Sequence, residues 1–164
     1  MKIFFDSPDH KFYIREIARM TKLSAPGVIK IIKKLKKEGL LLSKKGMVVE
    51  NVYASMNKKF IIIKQCYNIF HLHDCGIVDF LKTAYEPEAI VSFGSYSRGE
   101  DTSQSSIGIA ILTKKNRSVD CAKFEKRLRR KIDIHLLQPK RIKNEFLNML
   151  ADGVVIYGHL KVIE

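Results

Sequence analysis

Residues 94 to 108 contain the groups best suited to meet a phosphate. The pair Gly94-Ser95 closes an apolar stretch, Ala89 to Phe93, and Arg98-Gly99 follows three residues later. A glycine turn of this kind can aim successive backbone N–H groups outward, and a guanidinium adds a planar fork for phosphate oxygens. Gly94, Ser95, Arg98 and Gly99 are therefore the candidate nucleotide-binding residues. A Gly-Ser pair alone marks any polar turn. The order after it is more specific: a polar loop, Ser105, a second apolar strand, and a distant strand bearing Asp133. Side chains alternate along a strand. Ile107, Ile109 and Ile111 thus form a buried face, leaving Ser106, Gly108 and Ala110 on the other. In the later strand Ile132, Ile134 and Leu136 point inward, with Asp133 and His135 opposite.

This stretch resembles the signature of the minimal nucleotidyltransferase family. There the Gly-Ser pair turns the chain toward a nucleoside triphosphate, and the next strand carries two aspartates at i and i+2. The resemblance implies in-line displacement at phosphorus, assisted by divalent metal. Mg²⁺ requires hard anionic oxygen ligands. At the two family positions this chain has Ser106 and Gly108, while Asp133 matches a third family carboxylate. One carboxylate is a poor Mg²⁺ site, so no catalytic residue and no cofactor are expected. Mg²⁺ enters only if transfer is retained through a rearranged set, Asp133 with Asp101 or Glu100.

The charge balance points to a polyanionic partner. Lys and Arg outnumber Asp and Glu by 30 to 17, a net charge of +13, with an isoelectric point near 9.7. Residues 1 to 56 hold 12 basic and 5 acidic residues, so the excess is shared along the chain. Three cysteines form no CxxC pair, which fits reduced thiols in an intracellular protein. Lys2, Asp6 and Asp9 interrupt the start, so no signal peptide is read there. No apolar run is long enough to cross a bilayer, and the expectation is a soluble, cytoplasmic protein. Cys66, His71, His73 and Cys75 are close in sequence, but a helix scatters them around its circumference, and tetrahedral zinc favours tighter pairs. No metal is expected there.

Residues 12 to 53 read as a winged helix-turn-helix. Ile14, Ile17 and Ala18 set a short helix, and Met20 to Leu23 the turn. Ser24 is an N-cap for a second helix whose core stripe is Val28, Ile31, Ile32 and Leu35. Lys30, Lys33, Lys34 and Lys37 fall on its other face. Gly39 ends it, and residues 40 to 53 form a strand, the turn Lys44-Lys45-Gly46, and a second strand. Such a second helix enters the major groove while the wing reaches phosphate. The predicted DNA-binding residues are Ser24, Ala25, Lys30, Lys33, Lys34, Lys37, Lys44 and Lys45. The leading residues Ser24 to Gly27 include no Arg, Asn or Gln, so phosphate contacts should outweigh base reading. Only Met1 to Phe5 is available for the first helix that normally precedes this motif.

From Asn57 to Leu81, Phe60, Ile63, Tyr67 and Phe70 lie at helical spacing, and a break is read between Asp74 and Gly76. The expected organisation is a winged helix at 1–56, connecting helices at 57–84 that couple the domains, and an α/β nucleotidyltransferase-like domain at 85–164. In that last domain a basic helix is read at Cys121 to Arg130, another helix at Pro139 to Leu150, and short strands at Val154 to Tyr157 and Leu160 to Ile163. The pairing resembles archaeal proteins in which a winged helix is fused to a nucleotidyltransferase-like module. That resemblance implies a DNA-binding transcriptional regulator whose second domain is a pseudo-enzyme serving dimerisation or nucleotide sensing. The alternatives are an active nucleotidyltransferase and an antitoxin acting by contact. Duplex DNA, a nucleoside triphosphate, a second copy of the chain and a small toxin are the corresponding partners, and no membrane is among them.

Overall fold

The computed structural model describes residues 1–46, 50–138 and 150–160. The chain forms two compact units, Met1–Ile63 and Lys64–Glu164, and the fold is mixed α/β, a winged helix followed by a nucleotidyltransferase-like sheet domain. The boundary falls inside a helix instead of near residue 56.

In the first unit α1 (Lys2–Asp6) is the short first helix that the sequence left room for, and it buries Phe4 and Phe5. After β1 (Phe12–Tyr13), α2 (Ile14–Thr21) ends at Lys22 in the left-handed conformation. Met20 thus belongs to the helix, and the turn is tighter than expected. Ser24 caps α3 (Ala25–Lys37), its hydroxyl accepting from the Gly27 N–H at 3.3 Å. The wing strands are β2 (Leu41–Lys45) and β3 (Glu50–Ala54), giving the antiparallel order β1-β3-β2. Val28 and Ile32 fill the core as expected, but Ile31 is 46% exposed. The apolar stripe of α3 is wider than the core is able to cover, because so short an α1 leaves that edge bare. Residues 47–49 of the expected second wing strand lie outside the described residues.

α4 (Lys58–Asp74) contributes its first turns to the first unit and the remainder to the second. The apolar residues at helical spacing do not share one burial: Phe60 is buried, but Ile63 and Phe70 are exposed, while Lys64 and Asn68 are buried. Gly76, at φ 82°, supplies the expected break before α5 (Ile77–Tyr85). Read as a connector, α5 is in fact core: Ile77, Val78, Leu81, Ala84 and Tyr85 pack with Ile90, Ile107, Ile109 and Ile111.

The second sheet contains β4 (Ala89–Phe93), β5 (Ile107–Leu112), β6 (Ile132–Leu137) and β7 (Val154–Gly158) in the order β6-β5-β4-β7. β5 and β6 are parallel; the other pairings are antiparallel. α6 (Ser95–Arg98) is a single turn after β4, and α7 (Ala122–Leu128) packs Phe124 and Leu128 into the α5 side of the core. The helix expected from Pro139 falls mainly on residues 139–149, and the last expected strand on 161–164; both stretches lie outside the described residues.

Candidate functional site

The α6 turn is built around glycines. Gly94 adopts φ 80° and ψ −163°, a combination closed to side-chain-bearing residues, and so redirects the chain from β4 into Ser95. Gly99 ends the turn in the left-handed region, its N–H donating to the Tyr96 carbonyl at 3.2 Å. The Ser97 hydroxyl donates to the Gly94 carbonyl at 2.9 Å. Of the four candidate phosphate-binding residues, Gly94 and Ser95 start the turn, the Gly99 amide closes it, and Arg98 donates from Nε to Glu100 at 2.8 Å on the surface.

Strand register brings the other three positions together. Phe93 pairs with Gly108 across β4 and β5, and Gly108 pairs with Asp133 across β5 and β6. Ser106, immediately before β5, is exposed, as is Asp133. Between them the face is filled by an aromatic ring. A Cβ placed on Gly108 would lie 2.6 Å from the Phe93 ring, well inside van der Waals contact. His135 meets that ring edge-on, with centroids 5.3 Å apart and planes at 75°. The same face continues as an apolar layer of Ala89, Val91, Ala110, Leu112 and Leu137, with Leu150 against it. A metal pair bridged by two strand carboxylates does not fit here. One position carries a hydroxyl, the other has room for a side chain only if the Phe93 ring moves, and Asp133 alone supplies anionic oxygen. Among the described residues no group of three or more His, Cys, Asp or Glu side chains could hold a metal ion, and the Cys66 to Cys75 set forms no such group.

Asp101 plays a part that the sequence did not reveal. It is fully buried, as is Lys64, which pairs with its Oδ1. Asn68 donates to the same oxygen at 2.7 Å, and the Arg130 guanidinium reaches Oδ2 at 3.3 Å. Asn68 also donates to the Tyr96 carbonyl at 2.8 Å, and Gln65 to that of Ser97 at 2.9 Å. One face of α4 thereby clamps the α6 turn and the loop behind it. Burial, then the Asp101 charge, pushes the Tyr96 phenol above its ordinary pKa. Asp101 is thus committed to two buried cations, and Glu100 to Arg98. Neither is presented as a ligand beside Asp133.

On the winged helix, Lys30, Lys33 and Lys37 recur at i, i+3 and i+7 along α3, and all are exposed. They lie opposite Val28 and Ile32, as does the exposed Lys34. Ala25 opens the helix. Lys44 and Lys45 stand exposed on β2, facing Asn51 and Glu50 in the ladder. Sequence reasoning missed Arg15 and Arg19. Spaced i, i+4 on α2, they line a groove of about 870 Å³ together with Tyr13, Ala25 and Ile29. Their spacing was visible in the sequence; their approach to α3 was not.

Comparison with known proteins agrees with the second unit. The family model described as polymerase beta, nucleotidyltransferase matches residues 76–161. A solved structure of a point mutant of Lactococcus lactis ZitR is similar at 18% identity, with a TM-score of 0.40, over 51% of this chain and 58% of that one. The chain thus spans little more than half the length of that structure. No curated protein matches the chain.

Proposed function

From a chain that belongs to the polymerase beta nucleotidyltransferase family, we propose a DNA-binding regulator in which the family domain no longer performs metal-dependent transfer. The observation that carries the loss of transfer is the Phe93 ring over Gly108, where a second strand carboxylate would have to stand. The DNA reading is supported by the outward lysines of α3, the wing lysines, and the net charge of +13. Lys30, Lys33, Lys37, Lys44 and Lys45 neutralise backbone phosphates, and Arg15 and Arg19 line the groove beside α3, where guanidinium groups suit base edges or phosphate. Binding is tested by fluorescence anisotropy on labelled duplex DNA across a salt series. Replacement of Lys30, Lys33 and Lys37 by Ala should lower the magnitude of the log K against log salt slope by about three. Salt-independent binding, or a triple variant indistinguishable from the parent, removes DNA from the account.

A nucleotide-sensing role for the family domain is favoured by one feature. Gly94 keeps its special backbone conformation, and beyond its chain neighbours no atom comes within 4 Å of where its Cβ would be, so open space lies beside the start of the turn. Equilibrium dialysis with radiolabelled ATP, CTP and GTP, with and without Mg²⁺, tests this role and transfer together. Binding without label transfer supports the sensor; transfer abolished by Asp133→Ala restores the enzyme.

A further inference from the structure

The positive charge of the second unit is gathered in one place. Residues 64–164 hold 16 basic and 12 acidic residues, and the stretch from Lys123 to Lys131 supplies six of the basic ones with a single acid, Glu125. Outside that stretch acids outnumber bases by 11 to 10. The excess is therefore a local patch and not a charge spread over solvated surface. The patch borders a groove of about 420 Å³ between the end of α7 and the turn at 102–105, with Ser103, Gln104, Ser105, Lys126 and Arg129 in its lining.

Most charges around the groove are already committed. Glu125 accepts from the Ile132 N–H at 3.0 Å and from Lys131 at 3.4 Å, and the buried Arg130 donates to Asp101. Arg127 is paired with Asp74 at 3.0 Å, and the Lys123 ammonium lies 4.7 Å from the centroid of the Phe124 ring. Lys126 and Arg129 are exposed and have no anionic partner among the described residues. Arg129 also closes α7 in the left-handed region, at φ 54° and ψ 36°. Helices ordinarily place glycine there, because a Cβ crowds the backbone. Glycine would fit the turn better, and what arginine adds is its guanidinium. Residues held in such backbone regions concentrate at binding sites.

The lining indicates the ligand. Two cations face the neutral donors of Ser103, Gln104 and Ser105, a set suited to phosphate oxygens. No aromatic ring lines the groove to stack a base, and its one carboxylate is spent on the chain's own donors. The cations are spread from Lys123 to Lys131, which matches a ligand whose charge repeats along its length. We propose that this groove and the end of α7 bind the phosphate backbone of nucleic acid, without regard to sequence, as a contact separate from that of the winged helix. The inference does not depend on the winged-helix reading, since every residue in it belongs to the second unit.

Fluorescence anisotropy of the full chain on a labelled duplex across a salt series tests it. Lys126→Ala with Arg129→Gly should lower the magnitude of the log K against log salt slope by about two, roughly one per phosphate released. The same loss should appear in the chain bearing Lys30→Ala, Lys33→Ala and Lys37→Ala, so that failure of one contact leaves the other measurable. Lys126→Arg with Arg129→Lys keeps both charges and should keep the slope. Arg129→Gly should leave the Tm unchanged or raise it, which separates lost binding from lost folding. Lys114→Ala with Lys115→Ala removes as much charge at the opposite end of β5 and should change the slope by less than half as much. An unchanged slope in the Lys126→Ala, Arg129→Gly chain overturns the proposal, and so does an equal loss in the Lys114→Ala, Lys115→Ala chain, which marks the effect as bulk charge. Saturable ATP binding in equilibrium dialysis that disappears with Lys126→Ala and Arg129→Gly assigns the groove to a mononucleotide and overturns it as well.

Discussion

Asp101 is surrounded by Lys64, Asn68 and Arg130, and its weight in the fold lies in what its removal would leave. Breaking a buried ion pair strands the remaining charge, typically at about 3–5 kcal/mol. Asp101→Asn should therefore lower stability by about 3 kcal/mol in urea unfolding of the full chain. A loss under about 1 kcal/mol would mean that Lys64 and Arg130 are satisfied without it. Ser92 is the opposite case. It is fully buried on β4 facing the α5 core, and its hydroxyl has no hydrogen-bond partner among the described residues. Ser92→Ala removes an unsatisfied polar group with little change in volume, so it should raise stability by about 1 kcal/mol and the Tm by a few degrees. A destabilised variant would show that the hydroxyl is satisfied after all. Neither environment was legible in the sequence. Asp101 lies in a loop, where no alternation rule assigns direction, and its partners are 29 to 37 positions away along the chain.

At the scale of elements, strands and breaks were legible because their signals are local. Alternation in 107–111 and 132–136 located the two faces, Gly76 located the helix break, and Ser24 the start of α3. The core stripe read from periodicity in α3 includes Ile31, which is exposed, and the apolar residues at helical spacing in α4 are also only partly covered. Periodicity identifies a stripe, but only tertiary packing decides whether that stripe is covered. The filling of the degenerate face did have a signal. β4 is apolar at Ala89, Val91 and Phe93 as well as at Ile90, which describes a strand buried on both sides. This yields a prediction about elements in register. Gly108→Asp alone, or with Ser106→Asp, should destabilise the sheet and bind no metal, because Phe93 occupies the space. Adding Phe93→Ala should relieve the clash and let the two introduced carboxylates bind Mn²⁺ together with Asp133, as read by calorimetry. Metal binding by the Ser106→Asp, Gly108→Asp pair with Phe93 intact would show that the ring gives way easily.

At the scale of the whole molecule, the charge of +13 makes a prediction about binding to a polyanion. One winged helix neutralising about five or six phosphates gives a log K against log salt slope of roughly −5. Anisotropy titrations of the full chain on duplexes of unrelated sequence, each across a salt series, measure that slope. Because phosphate contacts outweigh base reading on α3, the slope should be nearly the same for every duplex. A slope near zero, or an affinity that depends on sequence far more than on salt, would show that the lysines of α3 and the wing do not carry the binding.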